Sequence, residues 1–340
     1  MDIPTCEKLA LTKVKSLTAA RGELVFPCVP HLADHFFQQV HSLLLALGQN
    51  LKPQELESLR STLHQRIQEG FQQSPHARLS FQYEPPDPTV GLTSGLRIRF
   101  STQILTIEDK YARWVKTRQG PLFGSHPDAK VMAVVQELGQ PPLRILDVGA
   151  GTGRNTLPLA RLGHQVTAIE LAPVFVQKLT ESAQAEGLTI EVQLADILKT
   201  PLPANTYDLI IVVEVISHFR SLSQVRQLLE NSSQALKPGG KILFSTFLTI
   251  DNFVPTPMMR EVAEVAWSFL VTPGELQECL AGLPLAIESN ESAYDYERTF
   301  LPPAAWPPTK WFINWATGRD VFPTTAEPPM SLRWILARRL

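Results

Sequence analysis

Within the run Arg144-Ile-Leu-Asp-Val-Gly-Ala-Gly-Thr-Gly-Arg-Asn155, a short apolar strand ends in an acid and then in three glycines at every second position. A helix-like stretch opens directly after it. Glycine permits positive φ at such a turn and leaves no Cβ between backbone N–H groups and a ligand. The spacing is D-x-G-x-G-x-G, with Asp147 two residues before Gly149 and with Gly151 and Gly153 following. It is not the G-x-G-x-x-G of dinucleotide-binding folds. A strand, a glycine turn and a helix in this order predict an α/β fold with a doubly wound, mostly parallel sheet.

The next segments continue the pattern. Val166-Thr-Ala-Ile169 reads as a second strand and ends in Glu170. An acid roughly 20 residues after the glycine loop is where doubly wound folds place the acceptor for ribose hydroxyls. Residues 190–194 alternate as a third strand, closed by Ala195-Asp196-Ile197. Tyr207-Asp-Leu-Ile-Ile-Val-Val213 is an apolar run suited to a strand buried on both faces. It leads through Glu214 and His218 into a helix over 221–236. Leu236-Lys-Pro-Gly-Gly-Lys-Ile-Leu-Phe244 then reads as a helix stop and a fifth strand.

In this order the motifs resemble those of the class I S-adenosylmethionine-dependent methyltransferases. With Arg154-Asn155 directly after it, the glycine loop is most similar to the tellurite-resistance and thiopurine type. The resemblance implies S-adenosylmethionine as cofactor and a seven-strand Rossmann-like sheet whose last strand, 332–338, runs antiparallel. It also implies site roles. Gly149, Gly151 and Gly153 would admit the methionine part, and Asp147 would orient its ammonium. Glu170 would accept from the ribose hydroxyls, and Asp196 with Ile197 would meet the adenine. Taken singly, Glu170 and Asp196 read more commonly as solvated loop acids.

Methyl transfer from a sulfonium is an in-line displacement, helped by proximity and by exclusion of water. Glu214 and His218 stand at i, i+4 past the fourth strand. His218 is the candidate general base or acceptor anchor, because a free imidazole titrates near neutral pH. The rival is a structural histidine at the start of the next helix. The fourth-strand motif Val-Val-Glu-Val-Ile departs from the Asp/Asn-Pro-Pro-Tyr/Phe of amino-methylating nucleic-acid and glutamine enzymes.

Net charge is −2 in 340 residues and no run of five basic residues occurs, so the footprint of a nucleic-acid binder is missing. Cys6, Cys28 and Cys279 are scattered, which argues against a disulfide framework or zinc site and fits a reducing compartment. The first residues show no secretory signal, and no apolar run approaches the roughly 18 residues of a membrane span. The expectation is a cytoplasmic protein without membrane or nucleic-acid partners. His31, His35 and His41 share one helix, but no acid or cysteine completes a metal motif. No metal site is expected.

Residues 1–105 read as an α+β accessory domain. Its two helical stripes are Leu32, Phe36, Val40, Leu43, Leu44, Leu47 and Leu56, Leu59, Leu63, Ile67, Phe71. Two alternating segments, 79–83 and 96–100, flank a turn-rich connection with Pro85, Pro86, Pro88 and Gly91. Residues 106–126 read as a linker that could close over the cofactor, through Tyr111, Arg113, Trp114 and Arg118. The alternative is that Tyr111 and Trp114 are interdomain core. The cofactor core covers 127–249. Residues 250–340 add acceptor-side helices, two strands and a long aromatic connection, 289–331, read as a lid with Tyr294, Trp311 and Trp315. The function expected is methyl transfer to an acceptor held by the N-terminal domain and this lid, with a small organic molecule favoured. Alternatives are a protein side chain docked on the accessory domain, a noncatalytic binding protein, or a nicotinamide-dependent oxidoreductase, which the glycine spacing disfavours.

Overall fold

Short apolar runs bounded by glycine and proline turns form strands, and i, i+3/i+4 stripes form helices, throughout the computed structural model. It describes residues 2–16, 20–85, 96–118, 120–139 and 142–340. The chain divides into two units, Met1–Thr106 and Ile107–Leu340.

The first unit holds α1 (Ile3–Ser16), β1 (Gly22–Pro27), α2 (Ala33–Ala46), α3 (Pro53–Gln73), β2 (Arg78–Glu84) and β3 (Arg97–Gln103). The strands form an antiparallel sheet with β2 in the centre. Phe81 of β2 pairs with Leu24 and Phe100 and is fully buried. Against the sheet side chains, α2 buries Phe36, Phe37, Val40 and Leu44, and α3 buries Leu59, Leu63, Ile67 and Phe71. Pro53 opens α3, and the Glu55 carboxylate accepts from the Lys52 N–H at 2.7 Å. Two elements escaped the sequence reading, α1 and β1. Every described side chain of α1 is exposed, and β1 is a six-residue edge strand, so neither carries a strong apolar period. Pro86, Pro88 and Gly91 of the turn-rich connection lie outside the described residues.

The second unit begins with α4 (Ile107–Thr117) and α5 (Ala129–Leu138). Five strands follow with their helices: β4 (Arg144–Val148), α6 (Thr156–Arg161), β5 (Gln165–Glu170), α7 (Pro173–Ala185), β6 (Glu191–Leu194), β7 (Tyr207–Val212), α8 (Leu222–Ala235) and β8 (Leu236–Thr249). The remainder is α9 (Pro257–Val265), β9 (Leu270–Val271), α10 (Pro273–Leu280), β10 (Leu285–Ser292), α11 (Ala293–Phe300), α12 (Phe312–Ala316) and β11 (Met330–Arg339). Strand order is β6-β5-β4-β7-β8-β11-β10, with β9 joined to β8. All neighbours are parallel except at β11, which runs antiparallel to both β8 and β10. Leu209, Ile210, Ile211 and Val212 of β7 have no exposed surface, because helices cover both faces. The winding reverses beside β4, so the carboxyl ends of β4 and β7 open a crevice.

Two sequence expectations need correcting. The segment read as a linker, 106–126, contains the helix α4, and from Ile107 onward it belongs to the second unit. The long connection is not a loop over the ligand edge. Strand β10 continues to Ser292, and α11 and α12 then pack on the sheet, where Ala293, Phe312, Trp315 and Ala316 join the core around Trp334 and Phe247.

Candidate active site

Parallel strands carry their carboxyl ends to one edge, and the acids that close them gather there. A cavity of about 280 Å³ is lined by Asp147 near the end of β4 with Gly149 and Gly151 after it, Glu170 at the end of β5, Asp196 and Ile197 after β6, and Glu214 and His218 after β7. Asp147 is buried and accepts from the Thr156 hydroxyl at 2.5 Å. Burial, opposed by that hydrogen bond and aided by the charges of Asp128 and Glu170, pushes its carboxyl up to about 7. Glu170 accepts from the Gly151 N–H and the Ala172 N–H, both at 2.8 Å. A carboxylate offers about four lone-pair sites, so it can still accept from a ligand hydroxyl. Asp196 accepts from the Leu198 N–H at 3.0 Å and pairs with Lys199 at 3.0 Å.

The glycines are not equivalent. Gly151 (φ 56) lines the cavity, and a Cβ there would lie 3.4 Å from Phe123 across it. Gly153 was expected to admit ligand, yet it does not line the cavity. Its φ is 92, and a Cβ would come within 2.6 Å of Leu179 and 2.9 Å of Leu157. It is glycine so that the loop can pack on α7 and α6.

Arg154 joins the loop to two acids. Its guanidinium lies 2.9 Å from Glu214 and 3.0 Å from Asp128; burial opposes its charge, but the charges of Asp128 and Glu214 outweigh that and hold its pKa above the ordinary arginine value. Glu214 has positive φ, 60, and its N–H donates to the Ser245 hydroxyl at 2.8 Å. Asp128 and Asn155 bond reciprocally: the Asp128 N–H donates to the Asn155 side chain at 2.9 Å, and the Asn155 amide donates to the Asp128 carboxylate at 2.9 Å. Behind them Glu297 of α11, fully buried, accepts from the Ala129 N–H at 2.8 Å, the Lys130 N–H at 3.1 Å and the Trp334 indole at 3.2 Å. It thereby caps α5 from a distant part of the chain. Burial raises the carboxyls of Glu170, Glu214 and Glu297 as well. Five acids around one arginine make a region that favours a cation.

Rings close the opposite side. Tyr111 and Ile107 of α4 line the cavity with Phe123 and Phe175. The Tyr111 hydroxyl lies 3.1 Å from His218 Nε2, and its ring meets Phe175 at 4.8 Å and Trp267 at 5.7 Å. Burial and the nearby Lys110 charge push His218 down to about 4, so it is neutral at pH 7. That is below the near-neutral range expected of a free imidazole, and the ring is held in a hydrogen bond with Tyr111. Trp114 stacks on Trp267 at 5.2 Å, and the exposed Arg118 lies over Trp114 at 4.1 Å. Arg113 is exposed and does not line the cavity.

Residues 146–244 match a family model described as a methyltransferase domain. Over 152 residues the chain is 30% identical to a ubiquinone biosynthesis O-methyltransferase of Methylocella silvestris, covering 42% of this chain and 58% of that protein. It is 29% identical over 153 residues to a demethylmenaquinone methyltransferase of Tropheryma whipplei (45% and 56% covered). It is 30% identical over 158 residues to a probable S-adenosyl-L-methionine-dependent methyltransferase, TehB, of Haemophilus influenzae (46% and 51% covered). Residues 146–244 thus carry a methyltransferase domain similar to those of S-adenosylmethionine-dependent enzymes. The chain spans only a little over half the length of these relatives. Among solved structures, a putative sarcosine dimethylglycine methyltransferase from Galdieria sulphuraria shares the fold at TM-score 0.51 and 17% identity, over 68% of this chain and 98% of that one.

The methyltransferase domain fits the cofactor its family uses. Gly151 leaves the space a Cβ would fill, Glu170 retains acceptor capacity, and the acid surplus suits a sulfonium. The lid expected of Tyr294, Trp311 and Trp315 is not found. None of the three lines the cavity; Trp315 is core against Phe247 at 5.0 Å, Trp311 packs on Trp315, and Tyr294 packs on Trp306. Aromatic rings in a long connection bury themselves on the nearest apolar sheet face. Sequence reasoning missed Asp128, Glu297, Phe123, Phe175 and Trp267. Only Phe175 had a local signal, one turn into the helix after Glu170. Among the described residues no group of three or more metal-ligating side chains occurs, and no helix is long and apolar enough to cross a membrane.

Proposed function

We propose that the second unit binds S-adenosylmethionine and transfers its methyl group to a small organic acceptor. The observation that carries this is the acid-lined cavity at the switch point of the sheet, with the glycine loop forming its floor. When bound, the cofactor would supply an electrophilic methyl carbon carried on a sulfonium. Everything else falls to side chains of this chain. Asp147 and Glu214 offer negative charge toward an ammonium, Glu170 accepts from hydroxyls, and Asp196 and Ile197 bound the adenine end. Tyr111, Phe123 and Phe175 exclude water, and His218 orients the acceptor rather than storing its proton. Two of the relatives are named for ubiquinone biosynthesis and for demethylmenaquinone, which favours a small molecule over a protein side chain.

Calorimetric titration with S-adenosylhomocysteine tests the reading. Binding in the wild type, and a loss of about tenfold or more in Glu170→Ala, is the expected result. Absence of binding, or equal binding by Glu170→Ala, overturns the assignment. Binding without label transfer from methyl-labelled donor to any small-molecule fraction of a cell extract favours the noncatalytic reading.

A further inference from the structure

One end of the cavity is walled by two different elements. Asp196, Ile197 and Leu198 come from the turn after β6, and Phe219 and Gln224 come from the entry to α8. The two pieces are joined. The Gln227 side chain donates to the Leu198 carbonyl at 2.6 Å, and Ile197 and Phe219 share one apolar cluster with Val225 and Leu228 of α8. Gln224 stands one turn before Gln227 on the same face of the helix, which brings it to the cavity beside Leu198.

The Gln224 amide is held in one orientation. Its side-chain oxygen accepts from the Arg220 N–H at 2.6 Å, and its backbone N–H donates to the hydroxyl of Ser221, the N-cap of α8, at 3.4 Å. Only the amide oxygen can accept from a backbone N–H, so turning the amide over would break that bond. The NH2 group has no hydrogen-bond partner among the described residues, and the half-buried side chain lines the cavity. It is left to donate to a ligand. Asp196 offers the opposite. Its carboxylate accepts from the Leu198 N–H at 3.0 Å and pairs with Lys199 at 3.0 Å, with lone pairs remaining.

A fixed donor and a fixed acceptor at one end of a cavity select a base that presents the reverse pair. Adenine does so: its N6 amine donates, and the ring nitrogens N1 and N7 on either side accept. Hypoxanthine carries an accepting oxygen in place of the amine, which would meet the Asp196 carboxylate acceptor to acceptor.

We propose that Gln224 is a specificity-determining residue for the donor, reading an acceptor nitrogen of the adenine ring while Asp196 reads the amine, and that the Arg220 N–H is what aims it. This rests on the donor reading above. A rival role, helix capping alone, is separable: Gln224→Glu keeps an oxygen for the Arg220 N–H and removes the donor.

Calorimetry on the full chain with S-adenosylhomocysteine, its 1-deaza and 7-deaza analogues and S-inosylhomocysteine tests the proposal. One deaza analogue and S-inosylhomocysteine should each bind wild type about tenfold or more weakly than S-adenosylhomocysteine. Gln224→Glu should melt within about 2 °C of wild type and lose about tenfold or more in S-adenosylhomocysteine affinity, while that same deaza analogue no longer binds it more weakly than S-adenosylhomocysteine does. Equal weakening of all ligands in Gln224→Glu, or unchanged affinities, would reduce the residue to a cap and overturn the proposal. So would wild-type protein that binds both deaza analogues or S-inosylhomocysteine within about twofold of S-adenosylhomocysteine, a measurement that needs no variant. Failure of the wild type to bind S-adenosylhomocysteine at all would instead sink the methyltransferase reading.

Discussion

Asp147 is a carboxyl that burial holds protonated to about pH 7, in a place where a cationic ligand wants it ionised. Its folded pKa lies above the ordinary value, so the ligand-free protein binds this proton more tightly than the unfolded chain does. That contribution to stability is full below about pH 4 and is lost as pH rises toward and through 7. Asp147→Asn should therefore raise the ligand-free melting temperature at pH 8 by a few degrees, for roughly 1–2 kcal/mol. The same change should weaken S-adenosylhomocysteine binding and flatten its rise between pH 6 and 8. A variant that melts lower at pH 8 and keeps the wild-type pH profile would contradict this. Gly153 tests packing instead of charge. Gly153→Ala should cost about 2–3 kcal/mol in urea denaturation, from a strained φ and the collision with Leu179; a cost under about 0.5 kcal/mol would show that the loop yields. At this scale the acids Asp147, Glu170 and Asp196 were legible in the sequence, since each stands at the carboxyl end of a strand, at a spacing that parallel winding turns into neighbourhood. The pKa of His218 was not, because it depends on rings from α4 and from the Trp267 segment, over 40 residues away in either direction.

Helix α5 shows how an element is held by parts of the chain that sequence cannot pair. Its first N–H groups find Glu297, 168 residues downstream of Ala129, and its N-cap Asp128 is locked to Asn155 of the glycine loop. Glu297→Ala should destabilise the second unit by about 1–3 kcal/mol, the cost of unpaired N–H groups and a lost cap, measured by thermal or urea unfolding. An unchanged midpoint would mean that water replaces the carboxylate. Arg154→Met should cost more, about 3–5 kcal/mol, because it strands Asp128 and Glu214 as buried acids. The strands and helices of the core were readable from apolar runs and turn residues. Among the acceptor-side helices expected in 250–340, α9 ends at Val265 and Leu270 goes to β9, since strand pairing with β8 outweighs local helical preference there.

At the scale of the molecule, every residue lining the cavity lies in Ile107–Leu340. That segment expressed alone should fold cooperatively and bind S-adenosylhomocysteine within about threefold of the full chain by calorimetry. A folded fragment without binding would show that the first unit contributes to the donor site. Readable from the residues were the α/β class, the antiparallel last strand through family resemblance, and the acids at the ends of successive strands. These are local signals: glycine spacing, apolar periodicity and turn chemistry act over a few residues, and parallel winding carries them to a common edge. Tertiary structure alone decided that the aromatic connection is core rather than lid and that α4 belongs with the donor site. It also decided that Trp267 stands beside His218. Those outcomes depend on which apolar face lies nearest and which buried acid finds a partner, and such contacts, separated by a hundred residues or more, leave no period or spacing in the chain.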